Sequence, residues 1–200
     1  MILLCSDGGV RKLPNSEEKG GAYSTSLSIV HGQTYRITEA FKDTTNNRME
    51  LLGCLEGIFQ AINYIERNGA DEVIIISDSQ IVIKGISEWM DGWKARGWKK
   101  ADCKPVVNDH IWKVLYEAYY YLRSVATDVK TYWIRGHLTK DDITKMTDPF
   151  MKIASLLNIE CDTSLGNILD TPGYVDSHLT TEEDKLNKFK KLLGMGVLHE

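Results

Sequence analysis

No apolar run in this sequence approaches the ~18 residues that a membrane-spanning helix needs, and the opening stretch MILLCSDGG meets a charge after only a few apolar positions. Neither a signal peptide nor a membrane span is expected, which points to a soluble, cytoplasmic protein with no membrane partner. A C-x-x-C pair is also missing. The four cysteines, Cys5, Cys54, Cys103 and Cys161, lie far apart, which argues against a zinc knuckle or redox motif and fits structural thiols in a reducing compartment. No internal repeat is visible. A basic excess is lacking too, the formal net charge being −4, so any nucleic-acid footprint must be local. What is present is 200 residues with 42% hydrophobic content, enough for one well-packed domain with an appended tail.

The pattern along the chain is that of an α/β protein. ILLC (residues 2–5) reads as a strand ending at SDGG, where two glycines allow a tight turn. Residues 21–41 alternate apolar and polar with a break at His31 and Gly32, the signature of an antiparallel hairpin with one solvated face. Leu51, Leu55, Ile58, Ile62 and Ile65 then form one helical stripe that ends near Asn68 and Gly69. EVIIIS (residues 72–77) is a continuous β-branched run, as expected of a parallel strand buried on both faces, and it stops at Asp78. Helical segments around residues 81–90 and 107–123, a strand over 129–137 and a helix over 149–169 complete the domain. Beyond it a polar linker leads to KLNKFKKLLG, a short amphipathic basic helix.

Three acids take the argument toward chemistry. Asp7 and Asp78 each follow a strand expected to be buried, and Glu50 begins the helix between them; sites in open α/β sheets form in the crevice outside strand carboxyl ends. Singly, each acid has a plain explanation as a turn or cap residue, and Asn47 with Glu50 loosely fits a capping box. Together they are harder to dismiss, because clustered carboxylates raise one another's pKa unless a cation neutralises them. An all-oxygen set suits Mg²⁺, with Mn²⁺ as the alternative.

With SDGG, TTNNRMEL, SDSQ, WIRGH and NIECD in this order, and residues 85–112 looking like a basic protrusion, residues 1–168 resemble the type 1 ribonucleases H. The resemblance implies a ribonuclease H-like fold, a mixed five-stranded sheet flanked by helices, with a catalytic domain over residues 1–169 and an extension over 170–200. It implies an endonuclease that cuts the RNA strand of RNA–DNA hybrids and leaves 3′-hydroxyl and 5′-phosphate ends. Asp7, Glu50, Asp78 and Asp162 would hold two metal ions, and His137 would assist proton transfer or product release. Gln80 and the backbone at Gly8 and Gly9 would read the ribose 2′-hydroxyl, while Thr45 and Asn46 would take a DNA phosphate.

In the protrusion, Lys84, Lys94, Arg96, Lys99, Lys100 and Lys104 outnumber Glu88, Asp91 and Asp102 by three, with Trp89, Trp93 and Trp98 interleaved. Trp93, Lys94, Arg96, Trp98, Lys99 and Lys100 are the substrate-binding candidates there, against the plainer reading of a small tryptophan core under a charged loop. The sequence departs from the family in two places. Asp43 stands where many relatives carry a basic residue, and residues 138–161 exceed the usual loop, which leaves Asp141 and Asp142 as rivals of Asp162. A non-cutting binding module and a junction-resolving enzyme of the same fold are the competing functions; paired carboxylates also serve glycosidases, but no sugar platform accompanies them. The expected state is a monomer, and for the tail the options of docking on the domain, touching nucleic acid or contacting a replication protein stand against the plainer and preferred reading of a solvated or surface-packed helix.

Overall fold

Strand β1, Ile2–Lys12, runs without a break in the computed structural model, which describes residues 1–15, 17–177 and 180–195. The expected turn at Gly8 and Gly9 is therefore not there. Both glycines pair with Tyr23 and Ala22 of the antiparallel strand β2 (Lys19–Ile29), and the chain reverses only after Lys12. The glycines meet a different need: a Cβ on Gly8 would lie 2.4 Å from the backbone nitrogen of Glu50. Its absence lets the first turns of helix α1 (Asn46–Asn68) rest directly on the strand.

Strands β3 (Thr34–Lys42), β4 (Glu72–Ser77) and β5 (Asp128–Trp133) complete one mixed sheet in the order β3-β2-β1-β4-β5. The hairpin is antiparallel as expected, and β4 runs parallel to both β1 and β5. The isoleucine run of β4 is buried, since helices cover both faces of the sheet. The period of two in β1 sends Ile2 and Leu4 toward α1 and Leu3 and Cys5 toward a second long helix, α6 (Pro149–Asp170).

The hairpin departs from the sequence reading in one respect. β2 has no solvated face over its central residues: Tyr23 and Leu27 join the α1 side, while Ser24 and Ser26 on the other side are fully buried. Small hydroxyl side chains let a helix approach closely, and the Ser26 hydroxyl lies 3.3 Å from Cys161 Sγ on α6.

After β4 come two short helical pieces, α2 (Gln80–Lys84) and α3 (Met90–Ala95), joined by a wider π-type turn over Gly85–Trp89. The protrusion leads into α4 (Asp109–Val125), whose Trp112 is fully buried. Past β5 lie a one-turn helix α5 (Lys140–Thr144) and α6 (Pro149–Asp170). These two account for the extra length between His137 and Asp162, and α6 spreads Ala154, Leu157 and Cys161 across the back of the sheet.

The extension forms α7 (Tyr174–Ser177) and α8 (Glu182–Leu192); residues 178–179 and 196–200 lie outside the described residues. Helix α8 begins with a capping box from Thr181 and Asp184 and carries three acids in its first turn, upstream of the basic residues. It packs on the domain, with Phe189 stacked on Phe59 of α1 at 4.5 Å. Lys185 is buried between Glu39 and Glu56 at 2.7 and 2.5 Å, and the Tyr23 hydroxyl donates to Glu39 at 2.8 Å. No described helix is long and apolar enough to cross a membrane.

Candidate active site

The β1–β4 ladder ends at Cys5 and Ile76, and β1 continues beyond it paired with β2 alone. A crevice opens there, outside the carboxyl end of β4. Asp7 stands two residues further along β1, Asp78 directly follows β4, and Glu50 enters from the first turns of α1. Carboxylate oxygens of these three residues all lie within 4.8 Å of one another.

Glu50 does not cap its helix. The N-cap is Thr45, whose hydroxyl accepts from the Arg48 backbone N–H at 3.3 Å, so Glu50 lies more than a turn inside with Oε2 buried and without a hydrogen-bond donor. A buried carboxylate left in that state is costly unless a proton or a cation joins it.

The electrostatics say the same. Burial, reinforced by the charges of Asp78 and Asp162, pushes the Asp7 carboxyl up to about 8, although Gly8 N–H donates to it at 2.7 Å. Burial and then the charges of Asp7 and Asp78 push Glu50 up to about 9. Asp78 is also raised, chiefly by burial, and is held back by an Asn158 hydrogen bond and by the charge of His137. Carboxyls this compressed would shed their protons to a hard divalent cation, and an all-oxygen donor set is what Mg²⁺ or Mn²⁺ prefers. The residues present therefore fit a divalent metal site.

Asp162 is not one of the three clustered acids, but it sits on α6 near enough for its charge to raise both Asp7 and Asp78. Asp142, one of its rivals, instead accepts from the Thr139 backbone and hydroxyl as a helix cap. His137 is exposed in a left-handed conformation (φ 53°) on the loop after β5, close enough to Asp78 to act on its charge.

Three neighbours of Asp78 lie in the motifs WIRGH and NIECD, though the sequence alone assigns them no role. A Cβ on Gly136 would fall 2.0 Å from Asp78 Oδ2, so the loop carrying His137 lies directly against that carboxylate. Asn158 donates to the same oxygen at 3.5 Å, and its position one helical turn before Asp162 was the signal that could have found it. Trp133 also bonds here, its indole N–H donating to the Asp78 carbonyl at 2.9 Å.

The remaining candidates scatter around this centre. Thr45 and Asn46 are exposed at the start of α1, with Asn46 Oδ1 accepting from Val10 N–H at 2.7 Å. Gln80 is exposed at the start of α2, and Gly9 pairs with Ala22 in the sheet beside Gly8.

In the protrusion, Trp93 turns inward, edge-on to Trp112 at 5.1 Å and 5.7 Å from Trp89. Trp98 packs against Tyr116 at 5.9 Å. Lys94 lies 3.9 Å over the Tyr116 ring and pairs with Glu117 at 2.8 Å. Arg96 donates to the Lys99 carbonyl at 3.3 Å, Lys99 is exposed and Lys100 is half-buried. Trp93 and Trp98 thus pack onto the main core through α4, and Arg96, Lys99 and Lys104, whose side chain is 74% exposed, are basic groups the protrusion leaves open.

The RNase H family model matches residues 2–155. A ribonuclease H of Ralstonia nicotianae is 49% identical over 136 residues, 68% of this chain and 80% of the relative. One from Nitrosomonas eutropha is 42% identical over 138 residues, covering 68% and 78%. Among solved structures, the PFV RNase H domain aligns with a TM-score of 0.60 at 16% identity, covering 83% of this chain and 92% of that one. LC11-RNase H1, solved in complex with an RNA/DNA hybrid, aligns at 0.53 with 13% identity over 84% and 96%. At these identities the structural likenesses speak for the fold.

Proposed function

Because this chain belongs to the ribonuclease H family, we propose that it hydrolyses the RNA strand of RNA–DNA hybrids with divalent metal ions, leaving 3′-hydroxyl and 5′-phosphate ends. The observation that carries the proposal is the convergence of Asp7, Glu50 and Asp78, from three separate elements, within 4.8 Å. These three would hold the metal, with Asp162 completing a second position from α6. Bound there, Mg²⁺ or Mn²⁺ would lower the pKa of a water and stabilise the leaving oxygen of an in-line displacement.

The chain's own residues supply the rest. The Gly8 and Gly9 backbone and Gln80 would read the ribose 2′-hydroxyl and so tell it from a deoxyribose. Thr45 and Asn46 offer polar groups at the positive end of α1 for a phosphate of the DNA strand. His137, on its loop beside Asp78, would move a proton or help the product leave. Arg96, Lys99 and Lys100 would hold the backbone at longer range, making binding salt-dependent. All of these groups come from one chain, so a monomer suffices. The apolar stripe of α8 faces the domain itself, and we assign it no replication partner.

The deciding experiment compares a labelled RNA–DNA hybrid with RNA–RNA and DNA–DNA duplexes, with and without Mg²⁺, for the wild type and Asp78→Asn. Cutting of the hybrid alone, dependent on metal and lost in the variant, is expected. A hybrid that is bound but never cut would overturn the proposal.

A further inference from the structure

A second polar cluster lies on the other side of the first turn of α1. Arg48 is two residues before Glu50, hence about 200° away around the helix axis, and it turns from the acids toward the start of α4. Its Nε donates to Asn108 Oδ1 at 3.4 Å, at the base of the basic protrusion. Its Nη1 faces Glu182 Oε2, the first residue of α8, also at 3.4 Å. The other carboxylate oxygen of Glu182 is buried without a hydrogen-bond donor. Arg48 thus stands between the exposed Thr45–Asn46 pair and the protrusion, where a polyanion spanning the two would cross it, and its side chain is 34% exposed.

A guanidinium receives carboxylate and phosphate oxygens in the same fork. The Glu182 contact is a poor version of that pairing, since it is single, long and leaves one oxygen without a donor. Detaching α8 is not needed to break it. Lys185, Leu186 and Phe189 anchor the helix, and Glu182 sits at its first position, where turning one side chain is enough.

We propose that Glu182 sets the affinity for the nucleic-acid backbone: its carboxylate occupies Arg48 in place of a phosphodiester oxygen and so withholds that contact from the hybrid. The inference rests on the hybrid-nuclease reading above. It also gives Asp43 a companion, since that acid precedes the Thr45 cap by two residues and, like Glu182, lowers the local attraction for phosphate.

The test is hybrid cleavage by Glu182→Gln over a series of salt concentrations, with thermal melting to check folding. Relief of a partly exposed pair should lower KM by about threefold at low salt. One added phosphate contact should steepen the dependence of log KM on log salt by about 0.9, the effect falling on KM rather than kcat. In the Arg48→Gln background the same substitution should bring no gain.

An active wild type whose KM and salt slope are indifferent to Glu182→Gln overturns the inference. So does a raised KM, which would make Glu182 a support that aims Arg48 at the phosphate. A wild type inactive on hybrids overturns the proposed function instead, so the two failures are distinguishable.

Discussion

Replacing Asp7 by Asn should make the metal-free protein more stable, and increasingly so as pH rises. Asp7 is held at about 8 against an ordinary 3.8, so between these values the native state keeps a proton that the unfolded chain has released. Below the lower value both states are protonated and nothing is lost; above it, native stability falls with rising pH until the folded group also ionises. At pH 7 the gap spans about three pKa units, a ceiling of about 4 kcal/mol at 1.36 kcal/mol per unit. Glu50 and Asp78 titrate with Asp7, so the shift belongs to the cluster, and one amide should recover about 2 kcal/mol of it. For a chain of this size that is roughly 4–8 °C in melting temperature.

The Asn oxygen can still accept from Gly8 N–H, so the strand loses no hydrogen bond. Differential scanning calorimetry of both proteins in EDTA from pH 4 to 9 reads the effect directly. Mg²⁺ should then raise the wild type toward the variant, because the cation relieves the same repulsion. A variant that is less stable throughout, or a gain that does not change with pH, would refute the claim that these carboxyls are compressed.

Lys185→Met should cost roughly 3–5 kcal/mol in urea unfolding, because it leaves Glu56, which is 7% exposed, and Glu39 without their cation; a loss below about 1 kcal/mol would mean that the pair is as dispensable as a surface bridge. Gly136→Ala should fold normally but lose about 100-fold in hybrid cleavage, since the added methyl must displace the Asp78 carboxylate or the His137 loop, and displacements near 1 Å are enough for such losses. Wild-type rates in that variant would show that Asp78 has room to move.

The parts of the fold that could be read early are those whose cause is local. The stripe from Leu51 to Ile65 makes α1 whatever surrounds it, and three consecutive isoleucines in β4 admit few environments other than a sheet covered on both faces. The triad was legible for a related reason: Asp7, Glu50 and Asp78 each sit at a fixed offset from a recognisable element, so placing the elements places the acids. Asp162 was harder, because its distance from the others depends on how α6 lies across the sheet, and that is decided by Ala154, Leu157 and Cys161 meeting Leu3, Cys5, Ile74 and Ile76.

The misreadings share one origin, a local preference overruled by a partner remote in sequence. Gly8 and Gly9 favour a turn on their own, but eleven register pairs with β2 hold them extended, and the same absence of side chains is used for the approach of α1. Ser24 and Ser26 suggest a solvated face, until α6, some 135 residues on, covers them and brings Cys161 Sγ to the Ser26 hydroxyl. Helix α8 depends on remote partners in the same way without having been misread, since docking on the domain was among the expectations for the tail. Its lysines suggest a helix made for solvent or an anionic partner, yet Lys185 is inside because Glu39, 146 residues away, and Glu56 on α1 wait there as counter-charges. No periodicity within the tail could reveal this, because the complementary charge lies on β3 and α1; the apolar stripe of Leu186 and Phe189 says only that the helix docks, and the buried ion pair decides where.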